Sequence, residues 1–174
     1  MNFKIRSVVF ALMIAMTSAS EEQSLEVVEL IEEAFQGYQT EEAKIPFSDL
    51  IEFMQIGYDE SGLASRAIAY REIESFKPIT GVVIVDIIDD GFILRSASFP
   101  DIRKIKNGKN RRQVESIIKP VKEIKFNPHS GKRAVNTVSG ATRYGAKALN
   151  YINYMTRRAA LELEKQNKKL SNNL

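Results

Sequence analysis

Ser139, Gly140, Ala141 and Thr142 stand together between a short extended run at 134–138 and a long helical pattern that begins near Tyr144. Gly and Ala let a ligand approach the backbone closely, and two hydroxyls can donate to phosphate oxygens. The unpaired N–H groups at a helix start point at any anion placed there. The backbone from Gly140 to Arg143, with Arg143 or Lys147 adding charge-assisted hydrogen bonds, therefore has the chemistry of a phosphate cradle. Ser and Thr are also ordinary helix caps and Gly an ordinary turn residue, so the spacing alone leaves both readings open. Lys132 and Arg133 precede the motif as approaching cations or as a solvated loop.

Other chemistries have few residues to work with. The 174-residue chain has no Cys, which removes disulfides, thiolate metal sites, Cys nucleophiles and covalent haem. Its one His, His129, lies in the turn-rich stretch 127–131, so neither a multi-His metal site nor a Ser-His-Asp triad is easy to build. No paired carboxylates flank a candidate nucleophile, and Asp86, Asp89 and Asp90 are read as ordinary residues of a hairpin turn. Any redox chemistry must come from a bound cofactor.

Lys4 and Arg6, the apolar run 8–16 and Thr17-Ser18-Ala19 form the pattern of a secretory signal peptide over 1–19. The run is shorter than the roughly 20 residues that span a bilayer, and the expectation is an exported, periplasmic or otherwise secreted protein, soluble after cleavage. The formal charge of +3 falls to +1 without Lys4 and Arg6. Residues 21–60 hold 12 acids and one base, Lys44, whereas 101–174 hold 18 bases and 5 acids. These parts either face each other, are simply solvated, or leave the basic part to meet an anionic partner.

The elements that must position the motif follow from periodicity. Residues 21–38 carry one apolar stripe at helical spacing, with Ser24 as N-cap and Gly37 as stop, and a second short helix is expected over 48–55, closed by Gly57. Residues 63–74 suggest a strand. Residues 81–88 and 92–99, bracketing Asp89-Asp90-Gly91, are a β-hairpin signal. A basic loop, 103–112, carries no aromatic residue, which argues against nucleic-acid binding. A short helix over 113–118, an extended stretch over 121–126, and a closing helix with Ala148, Leu149, Ile152, Met155, Ala159 and Leu163 on one face complete the chain, with a polar, frayed tail after Lys165. The expected fold is α+β: a small antiparallel sheet with a hairpin, N-terminal helices and a closing C-terminal helix after the motif. The expected organisation is the signal peptide at 1–19, an acidic helical section at 20–60 and a ligand-binding domain at 61–170.

These residues resemble the FMN-binding domain of the periplasmic flavin subunits of sodium-pumping NADH:quinone reductase and of Rnf electron-transport complexes. Gly81 with 82–85 and then Asp89-Asp90-Gly91-Phe92-Ile93 resemble the family's hairpin, and 136–142 resemble its Asp-x-x-(Ser/Thr)-Gly-Ala-Thr signature. The resemblance covers about 81–165. It implies FMN phosphate at the helix start, with Asn136, Ser139, Gly140, Ala141, Thr142, Arg143 and Tyr144 as the cofactor-binding residues; Tyr144 is a candidate to stack on or border the ring, and equally an ordinary surface or core aromatic of the first helical turn. In covalent members the last Thr is esterified to FMN by a flavin transferase, which maps to Thr142 as a tether and not a catalyst. Asn136 stands where the family has Asp, and Ser98-Phe99-Pro100-Asp101 where many members have Glu-Thr-Pro-Gly. An amide keeps a hydrogen bond but supplies no negative charge.

The implied function is an electron carrier rather than an enzyme with its own catalytic residues. Its partners would be a redox protein, with a membrane-bound one among the candidates, and a flavin transferase if attachment is covalent, with no nucleic acid. The competing reading is a flavin-free structural or regulatory module of the same fold that engages an acidic partner or a membrane surface.

Overall fold

A computed structural model of the chain describes residues 25–43, 51, 53–73, 79–119, 121–136 and 143–172. Six strands form one antiparallel sheet in chain order: β1 (Gln39–Glu42), β2 (Phe53–Tyr58), β3 (Ala64–Ile73), β4 (Ile79–Ile88), β5 (Gly91–Ser98) and β6 (Ile124–Phe126). Helix α1 (Leu25–Ala34) precedes the sheet, α2 (Gly108–Ile118) lies between β5 and β6, and α3 (Arg143–Asn172) closes the chain. The α+β class, the hairpin and the closing helix are as the sequence leads one to expect.

Side-chain alternation along β4 divides the core. Val83 and Val85 join the large cluster under α3 and α2, while Val82 and Ile84 join Val27, Phe35, Ile68 and Tyr70 under α1. Helix α3 supplies Ala148, Leu149, Ile152, Met155, Ala159 and Leu163 to the large cluster, each at most 1% exposed. At roughly 1.5–3 kcal/mol per fully buried large apolar side chain, that stripe makes α3 the main cover of the sheet. The helix does not fray after Lys165. It continues to Asn172, because Asn167 accepts the Ala64 N–H (2.8 Å) and donates to the Ala64 carbonyl (2.9 Å), satisfying both backbone groups at the start of β3.

The N-terminal section departs from expectation. Its second helix was expected over 48–55, yet Phe53, Met54 and Gln55 belong to β2, which pairs with β1 on one side and β3 on the other; the preceding residues 44–50 and 52 lie outside the described residues. Two-sided pairing and burial of Met54 and Ile56 override the short helical stripe. Gly57 is not a helix stop but an interior strand residue. A Cβ there would lie 2.6 Å from the Phe35 ring, so glycine lets the end of α1 close onto the sheet. Among the described residues 20–60 thus hold one helix and two strands of the common sheet.

Asp86 is not a turn residue either. It lies within β4, 6% exposed, on the α1 side, and its carboxylate accepts from Arg66 Nε and Nη2 at 2.7 and 2.9 Å and from Arg95 Nε at 2.9 Å. Arg66 also donates to the carbonyl of Ala34, the last residue of α1, at 2.6 Å and lies over the Tyr38 ring. Arg95 is the extra residue of a bulge, since Ile84 pairs with Ser96 and Val85 with Leu94. That bulge aims its guanidinium at Asp86. The Asp86 hydrogen bonds, ahead of its charge, raise the pKa of both arginines above the ordinary guanidinium value.

Candidate functional site at the start of helix α3

Helix α3 runs antiparallel to β3: Asn167 holds Ala64 at the strand's beginning, and Tyr151 meets Arg71 near its end. The start of α3 therefore lies at the end of the sheet where β3 finishes and β4 begins. This end is fastened by Asp101, 5% exposed, whose carboxylate accepts the Thr80 N–H at 2.8 Å and pairs with Lys104 at 3.0 Å. Asp101 occupies the segment that differs from Glu-Thr-Pro-Gly. It is a structural residue that sequence reasoning passed over, and a lone Asp after Pro gave no signal of its buried role.

The chain reaches the motif along a strap of residues 127–136. At one end His129 Nε2 lies 2.9 Å from Glu164 Oε2. At the other, Asn153 accepts the Val135 N–H at 2.9 Å and donates to the Val135 carbonyl at 3.0 Å and to the Leu149 carbonyl at 3.0 Å. The strap thus travels beside α3 toward its N-terminus. From Asn153 back to Arg143 the helix spans about 15 Å at ~1.5 Å per residue, and 136–142 can extend up to about 25 Å at ~3.5 Å per residue. The geometry allows this connection to reach the helix start. The Glu164 carboxyl is held below its ordinary pKa by the hydrogen bond from Lys168 and, less strongly, by that from His129.

Of the expected site residues, Asn136 is described and exposed, immediately after the buried and clamped Val135. Of the expected extended run at 134–138, Ala134 and Val135 form a bend that Asn153 pins, and 137 and 138 lie outside the described residues. Ser139, Gly140, Ala141 and Thr142 lie outside the described residues. Arg143 and Tyr144 open α3, whose first turn contains no acid. One to two turns further on, the Arg71 guanidinium lies 4.5 Å and Lys147 Nζ 5.8 Å from the Tyr151 ring centroid. Arg71 is 7% exposed, so a cation is kept near this end of the sheet by an aromatic face. Neither Arg71 nor Tyr151 stood out in the sequence, because strand and helix lie far apart in the chain.

The hairpin turn is remote from this site. Ile87 and Phe92, beside it, line a shallow cleft with Glu164, Asn167 and Lys168 at the other end of α3, about 30 Å along the helix from Arg143 at ~1.5 Å per residue. Asp90 pairs there with Lys125 at 2.8 Å, and this hydrogen bond lowers its carboxyl pKa. The hairpin turn and the start of α3 thus stand at different ends of the molecule. The β4 and β5 strands connect them.

The expected basic loop at 103–112 is largely ordered as helix. A 3-10 turn, Ile102–Lys104, is followed by α2, which begins at Gly108 rather than 113 because Asn107 caps it, accepting from the Lys109 and Asn110 N–H groups at 3.0 and 3.1 Å. No group of three or more His, Cys, Asp or Glu residues among the described residues could hold a metal ion. No described helix is long and apolar enough to cross a membrane. No family model matches the chain, and no curated protein or solved structure matches it.

The Asn153 clamp is directly testable. Asn153→Ala removes three hydrogen bonds and strands both backbone groups of Val135, with an expected loss of about 2–3 kcal/mol in urea unfolding followed by circular dichroism. Asn153→Asp keeps the acceptor for Val135 N–H and is expected to lose less. A loss below about 0.5 kcal/mol for the alanine variant would mean that the strap is held elsewhere.

Proposed function

We propose that this protein is an exported FMN-binding electron-transfer domain, with the FMN phosphate at the start of α3 and Thr142 as the position of covalent attachment where a flavin transferase acts. The observation that carries the reading is a helix start that is electropositive by construction. The Ser139–Thr142 motif leads directly into a 30-residue helix whose first turn has Arg143 and no acid, followed by Lys147. The positive pole of a long helix ordinarily favours a carboxylate, and a cation there is balanced well by a bound anion. Small residues and hydroxyls at 139–142 suit a phosphate monoester.

The donor set fits this cofactor at its phosphate end. Backbone N–H groups of 140–143 and the hydroxyls of Ser139 and Thr142 would hold phosphate, with Arg143 and Lys147 supplying charge. Asn136 would offer its amide at the entry to the motif. When bound, the flavin supplies one- and two-electron redox chemistry, while the protein fixes its position and its electrostatic surroundings. The redox partner is a protein, soluble or membrane-bound.

The test is the visible spectrum of the protein purified after export from hosts with and without a flavin transferase. A flavin spectrum in the first host is expected, with fluorescence that survives denaturing electrophoresis and is lost in Thr142→Ala. Flavin released by heat denaturation from either preparation would retain binding and remove the tether. A colourless preparation that takes up no added FMN would leave the flavin-free docking module in its place.

A further inference from the structure

Charge is divided between the two faces of the sheet. Residues 25–43 contain six acids and no base, and Glu26, Glu29, Glu32, Glu33, Glu41 and Glu42 are all exposed. Residues 103–133 contain eleven bases and two acids, Glu115 and Glu123. Helix α1 packs on the side of Ile68, Tyr70, Val82 and Ile84, whereas α2 buries Val114 and Ile117 in the cluster under α3. The α1 acids Glu26, Glu29, Glu32 and Glu33 therefore do not neutralise the bases of 103–112 across a contact, because the sheet stands between them, while Glu41 and Glu42 on the edge strand β1 line a cleft with Lys165 and Lys169 of α3.

Helix geometry turns the bases outward. With Val114 and Ile117 buried, a helix advancing ~100° per residue sets Arg112 on the opposite side, with Lys109 and Arg111 at the two flanks. All three are exposed, as are Arg103, Lys104 and Lys106 in the segment leading to α2. Local compensation is slight: Lys104 pairs with Asp101 at 3.0 Å, and Arg111 lies 3.8 Å from Glu115.

We propose that the basic face built from residues 103–112 docks the protein on an anionic lipid surface, with acidic α1 turned toward solvent. A protein partner would require an apolar centre to its interface. The exposed large hydrophobic residues among those described are Leu63 and Leu170, neither of them in this segment. Nucleic acid would require stacking aromatics, and 103–112 contains none. An exposed, aromatic-free array of long cationic side chains instead matches a laterally adaptable sheet of anionic headgroups, where each base near the surface adds roughly fivefold to affinity. The acidic face on the far side of the sheet turns the molecule in the same field, so orientation and attraction act together. Asp101 ties the basic segment to the start of β4, so docking brings the sheet end that carries the start of α3 toward the lipid. The proposal does not depend on flavin binding.

The experiment is co-sedimentation of the full-length protein with vesicles of phosphatidylcholine alone or with about 30 mol % phosphatidylglycerol, in roughly 50 and 300 mM NaCl. Binding to the anionic vesicles alone is expected, weakened at the higher salt and at least tenfold weaker in Lys109→Glu/Arg111→Glu/Arg112→Glu with an unchanged circular dichroism spectrum. Glu29→Lys/Glu32→Lys on α1 should bind no less than the parent. Equal binding to both vesicles, absence of binding, or binding unchanged by the α2 reversals would overturn the proposal. Salt-sensitive oligomers in sedimentation velocity, abolished alike by the α1 and α2 reversals, would also overturn it by assigning the basic face to a second copy of the chain.

Discussion

Asp86→Ala is expected to destabilise the fold by about 3–5 kcal/mol, because it removes the common carboxylate of two arginines and leaves guanidinium groups without their balancing charge. Arg66 carries most of this effect. It donates through Nε and Nη2 to Asp86 and through Nη1 to the Ala34 carbonyl, so one side chain ties the sheet to the negative end of α1. Arg95 is half exposed to solvent and loses less when Asp86 goes. Urea unfolding should therefore show a large fall in midpoint for Asp86→Ala, and adding Arg66→Met should recover part of it by removing the stranded cation. A loss below about 1 kcal/mol would show that the carboxylate is exchanged for water at little cost and that α1 is held by its apolar contacts alone.

Ser139→Asp is expected to move stability and binding in opposite directions. Under the proposed reading, a carboxylate in the segment leading into Arg143 would interact favourably with the dipole of α3 and should leave stability unchanged or raise it by about 0.3–1 kcal/mol. The same charge would meet the FMN phosphate dianion. At about 4 Å, two like unit charges repel by roughly 4 kcal/mol where the effective dielectric is ~20, so FMN affinity should fall by at least about 100-fold. The isosteric neutral variant Ser139→Asn should lose far less. Equal FMN affinity in the Asp and Asn variants, measured by flavin fluorescence titration, would mean that phosphate is bound away from residue 139.

Much of the frame was legible because local signals and tertiary packing agreed. The Asp89-Asp90 turn between β-branched runs gave the β4–β5 hairpin, and the stripe from Ala148 to Leu163 gave the buried face of α3. Where they disagreed, pairing partners decided. Phe53 and Met54 suited a short helix until β1 and β3 supplied hydrogen bonds on both sides, and Gly57 signalled a stop whereas it makes room for Phe35. The residues after Lys165 read as a frayed tail because they are polar; the partner of the Asn167 side chain, Ala64, is 103 residues away.

Of the candidate site, the helix that follows it was legible in the sequence and the elements packed around that helix start were not. Small residues, hydroxyls and a following helix can be read from adjacent positions. The Asn153–Val135 clamp, the Asp101–Thr80 anchor and the Arg71–Tyr151 stack each join residues from separate elements. An Asn in a helix, an Asp after Pro and an Arg in a strand are ordinary when seen one at a time. Charge asymmetry was visible in the sequence, but its placement on opposite sides of the sheet required the topology.

The most direct test of the central claim is a paired titration of the purified protein, freed of flavin, with FMN and with riboflavin, followed by flavin fluorescence. The two ligands share the ring and ribityl chain and differ in the phosphate. A phosphate cradle at the start of α3 predicts saturable FMN binding and riboflavin affinity at least about 100-fold weaker, the worth of two charge-assisted hydrogen bonds. Equal affinity for the two, or no binding of either, would contradict it.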